Sequence, residues 1–133
     1  MTDILKAWEP RILSVLRIMV ALLFVEHGAM KLLHFPAPMP GPAGGLPPLL
    51  LVAGVMELVG GLLLAAGLLA RPVAFLLSGE MAVAYFMIHA PQGFYPVLNM
   101  GEPAVLYCFV FFYLVFSGPG CWSVDTLLAR GKS

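Results

Sequence analysis

Four long apolar runs, at about residues 12–33, 46–70, 72–90 and 103–117, take up most of this 133-residue chain. They leave it little choice of solvent. A helix rises 1.5 Å per residue, so about twenty residues cross the roughly 30 Å hydrocarbon core of a bilayer. With no water in that core, each backbone N–H and C=O must be satisfied within the protein, which a helix does locally. The expected fold is an all-α membrane protein, with four transmembrane helices in an antiparallel bundle making a single domain over residues 1–133. Composition agrees: 61% of residues are apolar and only 11% charged, where soluble domains carry about 25%. The formal net charge is zero, which gives no reason to expect a nucleic-acid or acidic partner.

Proline and glycine separate the runs. His34-Phe-Pro-Ala-Pro-Met-Pro-Gly-Pro-Ala-Gly-Gly cannot continue a helix. Arg71-Pro72 makes so short a turn that the second and third runs are expected to form an antiparallel hairpin. Pro91, Gly93, Pro96 and Gly101 break the chain again, and Gly118-Pro119-Gly120 closes the fourth run. Arg17 interrupts the first run and no small-residue cleavage site follows it, so the first helix reads as retained rather than as a secretory signal. Lys6, Arg11, Arg71, Arg130 and Lys132 all fall on one side of a four-span chain, and the first and third connections carry no Lys or Arg. The positive-inside rule then puts both termini in the cytoplasm, with Trp8 and Trp122 as interface anchors.

Against this apolar background the polar residues stand out. Glu57 and Glu80 each sit near the middle of a run, where a carboxyl is costly and usually faces a bundle interior or a wet cavity. Gly54, Glu57, Gly61 and Ala65 share one helical face, and small residues let membrane helices approach closely, so that face is expected to point inward. Arg17, Ala21, Phe24, Gly28 and Lys31 form a stripe on the first helix, with His27 on its flank and Glu26 nearly opposite. Counted from the cytoplasmic side, Arg17 lies roughly 8 Å deep and Glu80 about 12 Å, which makes a structural ion pair the plain expectation. Lys31, His89, Asn99 and Glu102 form an outer cluster, with Glu57 and His27 between the two. Glu57 is either a neutral, hydrogen-bonded carboxyl or a group that handles protons or a ligand.

Several chemistries find no support. His27 and His89 lack the spacing of a metal site, so no bound metal or haem is expected. Cys108 and Cys121 are roughly 20 Å apart if helical, beyond disulfide reach, and form no C-x-x-C pair. Met56, Met81, Met87 and Met100, with Tyr85, Phe86, Phe94 and Tyr95, read either as ordinary packing or as the lining of a quinone or lipid pocket.

Taken together, the pattern resembles the DoxX family of small bacterial membrane proteins. The matching pieces are Phe24-Val-Glu-His-Gly28-Ala-Met-Lys31, Glu57-Leu-Val-Gly-Gly61-Leu-Leu-Leu with Gly67 and Arg71, and Ala74 through Glu80-Met81-Ala-Val-Ala84-Tyr85 to His89. Pro96-Val-Leu-Asn99, Glu102, Gly118-Pro-Gly120 and Ser123-Val-Asp125 complete it. The resemblance implies a multi-pass protein of the bacterial plasma (inner) membrane. Some relatives are subunits of a thiosulfate:quinone oxidoreductase, and others are linked to redox and oxidative-stress complexes. On that expectation Glu57 or Glu80 exchanges protons with a bound quinone. Arg17, Lys31 and His89 stabilise negative charge on its oxygens, and His27, Asn99 and Glu102 belong to the same ligand site. The electron donor would be another membrane or peripheral subunit, and a homo-oligomer is open. The alternatives are a non-catalytic chaperone or scaffold whose charges only fix helix pairing and, more weakly, a small-solute or proton carrier. Glu26 is not part of the motif and lies away from the Arg17–Lys31 stripe, so it is left to face a partner, a second copy of the chain, or the bilayer as a neutral acid.

Overall fold

In the computed structural model residues 2–40 and 45–131 are described. Lys132 and the middle of the first connection, residues 41–44, lie outside them. All regular structure among the described residues is helical. In order these elements are α1 (Thr2–Leu32), α2 (Pro48–Ala66), α3 (Ala70–Gln92), α4 (Pro96–Asn99), α5 (Glu102–Ser117) and α6 (Val124–Arg130). The chain divides into two compact units: Met1–Ala70 with Pro119–Ser133, and Arg71–Gly118.

Three helices, α1, α2 and α3, are long and apolar enough to cross a membrane. The fourth apolar run forms α5, which is shorter. The boundaries also differ from the sequence reading. α1 starts at Thr2 rather than near residue 12 and runs through Pro10. Its first turns are polar enough to escape an apolar count, yet Asp3 in the first turn and Lys31 in the last both suit the helix dipole. α2 stops at Ala66, not near residue 70, because Gly67 takes a left-handed conformation at φ 68°. Its N–H donates to the Leu64 carbonyl at 3.0 Å while Leu68 donates to Leu63 at 3.0 Å, the paired bonds that close a helix on glycine.

In the first unit α1 and α2 run antiparallel at very close range. A Cβ on Gly28 would stand 2.5 Å from the Leu58 nitrogen and 2.8 Å from the Gly54 carbonyl oxygen. One on Gly61 would meet the Val25 side chain at 2.6 Å, and one on Gly54 the Lys31 and Leu32 side chains at 3.1 Å. The α2 face expected to point inward therefore meets the Arg17–Lys31 stripe of α1. Ser14, Arg17, Ala21, Phe24 and Gly28 are the buried residues of α1 at helical spacing. The segment after Gly118 returns to this unit, where Cys121 N–H donates to the Pro10 carbonyl at 3.3 Å and Trp122 N–H to Ser14 Oγ at 3.0 Å.

In the second unit α3 and α5 are antiparallel. Arg71 donates to the Val115 and Phe116 carbonyls at 2.5 and 2.8 Å. Ser78 Oγ donates to the Cys108 carbonyl at 2.9 Å. At the far end a Cβ on Gly101 would lie 2.6 Å from the Tyr85 ring. Both cysteines are free.

Candidate functional site

Glu57 is 3% exposed and sits in a widened turn, a π segment over Met56–Gly60 inside α2. Such turns arise where a residue is accommodated at the expense of regular helical pairing, and they recur at functional sites. The Lys31 ammonium is hydrogen-bonded to Glu57 Oε1 as a salt bridge, with both side chains largely buried. The close approach at Gly28 and Gly54 makes the pair possible, since it brings the α1 and α2 backbones near enough for Lys31 to reach across. Glu57 Oε2 is buried without a hydrogen-bond partner among the described residues. An ammonium has three donors, and one is committed to Glu57. Lys31 also lines a pocket of about 200 Å³ with Met30, His34, Met39, Leu46 and Leu50. The lining is mostly apolar, with Lys31 and His34 as its polar side chains among the described residues.

Arg17 is built differently. It is 1% exposed, and its two terminal nitrogens go to backbone carbonyls: one to Pro119, the other to Trp122 at 2.7 Å and Ala65 at 3.3 Å. These acceptors tie the last turn of α2 and the returning 119–122 segment to α1. An ion pair with Glu80 was the expectation for Arg17, but the carbonyls are what engage its terminal nitrogens. Glu80 is half-buried on α3, in the second unit.

The other sequence candidates fall into two groups. His89 and Asn99 come together: His89 Nδ1 is 3.0 Å from the Asn99 carbonyl, and the His89 ring stacks on Tyr85 at 6.4 Å between centroids. Asn99 is 2% exposed, donates to the Gly93 carbonyl at 2.8 Å and accepts from Gly101 N–H at 2.8 Å. It organises the α3–α5 connection. His89 and Tyr85 also lie in a π segment, Tyr85–His89. His27 and Glu102 are both exposed, the first 6.4 Å from the Phe24 ring and the second in the first turn of α5. No group of three His, Cys, Asp or Glu among the described residues is placed to hold a metal.

The sequence reading gave no role to Asp125, which caps the start of α3. Its two carboxylate oxygens accept the Leu69 and Ala70 N–H groups at 2.9 Å each, while its own N–H donates to Gly67 at 3.0 Å. Ser123, two residues earlier, caps α6 by accepting Thr126 N–H at 3.2 Å. The Ser-x-x-Thr pattern after Gly-Pro-Gly was the available signal for that helix start.

The DoxX family model matches residues 12–90, which takes in α2 and both sides of the Lys31–Glu57 pair. The chain belongs to the DoxX family. An "Uncharacterized protein" of Haemophilus influenzae is 50% identical over 125 residues, covering 91% of this chain and 93% of that protein. No solved structure matches. For a DoxX membrane protein the lipid bilayer is the first partner, and its long exposed apolar faces on α1, α2 and α3 suit one.

Proposed function

We propose that this DoxX protein is a multi-pass subunit of the bacterial plasma membrane that binds a quinone-class ligand beside the Lys31–Glu57 pair. In this reading it crosses the bilayer four times as one membrane domain, with both termini in the cytoplasm. The observation that carries the proposal is a buried ion pair whose second carboxylate oxygen has no partner among the described residues and whose lysine lines a mostly apolar pocket. Polar groups at membrane depth are kept where they are used or paired, and this pair is only partly satisfied.

The residues present fit such a ligand. Met30, Met39, Leu46 and Leu50 offer apolar walls for a ring, and the spare donors of Lys31 offer a hydrogen bond to an oxygen at its rim. A bound quinone would supply the redox chemistry, with electrons from another subunit. The chain's own work is to hold the ring, keep water away and present a proton-exchanging carboxyl at Glu57. Glu80, on α3 in the other unit, is a separate candidate acid.

The test is direct. Glu57→Gln keeps size and shape but cannot titrate. Quinone titration of purified wild-type protein should raise its unfolding temperature, and Glu57→Gln should fold yet lose quinone-dependent activity in membranes holding its partner subunits. If no quinone shifts the wild type and Glu57→Gln supports its complex normally, the scaffold reading replaces this one. The Arg17 carbonyl cage supports that second reading for its end of the first unit, because there a buried charge joins segments through its two terminal nitrogens.

A further inference from the structure

α1 carries two seams, and only one of them is buried among the described residues. The inner seam is Ser14, Arg17, Ala21, Phe24 and Gly28, all buried. Two residues before each of these come Ile12, Val15, Met19, Leu22 and Glu26, about 200° around the helix. All five are exposed. The same alternation of four and three runs back through Trp8 to Leu5, into turns of α1 that bury no residue. The six apolar members of the outer seam are 43% to 64% exposed.

We infer that this outer seam pairs with itself, joining two copies of the chain through parallel α1 helices with Glu26 at the contact. Two features argue for a second copy over lipid. Glu26 lies on a membrane helix where facing hydrocarbon is costly, and such residues normally face protein. A single polar residue at a seam position also fixes register and partner number in paired helices. All copies insert with one orientation, so a two-fold axis along the membrane normal sets each α1 face against its own counterpart in register. Glu26 then meets Glu26 of the second copy, where two carboxyls can share a proton between them. Half of six large side chains, at roughly 200 Å² each, is on the order of 600 Å² per copy, approaching the roughly 800 Å² a partner gives to a stable interface.

This inference does not depend on quinone binding, and its test reads association alone. In a Cys108→Ser/Cys121→Ser background, single cysteines are placed on the seam at Ile12, Val15, Met19 and Leu22, and off it at Ile18, Val20 and His27. Oxidation in native membranes should give disulfide-linked dimers from the seam positions and little from the others. Equal yields at all seven, or none at any, would overturn the interface. Energy transfer between labelled chains in lipid vesicles then isolates Glu26. Because Glu26 is exposed, neither variant should unfold the chain, which thermal denaturation checks. Glu26→Leu should weaken the dimer about tenfold, since it removes the interhelical hydrogen bond at the contact while leaving the apolar packing. Glu26→Gln, which can still hydrogen-bond across the axis, should stay close to wild type. A Glu26→Leu dimer as tight as wild type would remove Glu26 from the contact.

Discussion

At the scale of single residues, the chain spends its two most buried cations in different ways. Lys31 neutralises a carboxylate, and Arg17 gathers carbonyls. Breaking a buried pair by removing one partner leaves a charge uncompensated, at a cost of about 3–5 kcal/mol. Lys31→Met and Glu57→Leu should therefore each lower the unfolding temperature in detergent, and the double replacement should recover much of the loss. Additive losses would show that the two do not act as a pair. Arg17→Lys should be nearly as damaging as Arg17→Leu, because an ammonium lacks the planar fork that reaches several carbonyls at once. Recovery of wild-type stability by lysine in a thermal melt would contradict the cage. Glu57, Lys31 and Arg17 were all visible in the sequence as polar interruptions. Their partners were not, because depth along a helix does not say which side chain lies opposite.

At the scale of elements, α1 and α2 depend on the absence of side chains where they cross. Gly28→Ala puts a methyl against the backbone of α2, which cannot yield as a flexible side chain would. Overpacking of this kind typically costs about 1–3 kcal/mol, and here it should also loosen the Lys31–Glu57 contact. Gly79 is the contrast: nothing lies within 4 Å of where its Cβ would be, so Gly79→Ala should be neutral or stabilising by up to about 1 kcal/mol. A second pair of melts checks this, and equal losses at both positions would mean that the close approach is not what matters. Asp125→Ala should cost about 1–2 kcal/mol by uncapping the start of α3. The glycine face was readable from its spacing. The two π segments were not, since a widened turn has no sequence period and is set by packing around Glu57 and His89.

For the whole molecule, orientation in the membrane follows from where the basic residues lie. Single cysteines at Ala37 and Gln92, both exposed, should react with an impermeant thiol reagent in intact cells, while one at Ala7 should not. Labelling at Ala7 alone would invert the four-span proposal. The sequence alone determined that the chain is helical and built for a bilayer, because apolar runs of this length have no other stable form in that solvent. It also determined which face of α2 turns inward, because small residues at helical spacing permit close packing in only one direction. Tertiary structure decided the rest. It extended α1 by ten residues beyond the apolar run, matched Lys31 to Glu57, surrounded Arg17 with carbonyls and gave Asp125 a helix to cap. The ion pair, the carbonyl cage and the cap depend on contacts between residues distant in sequence, whose energies are set by distance and burial and leave no periodic trace in the chain.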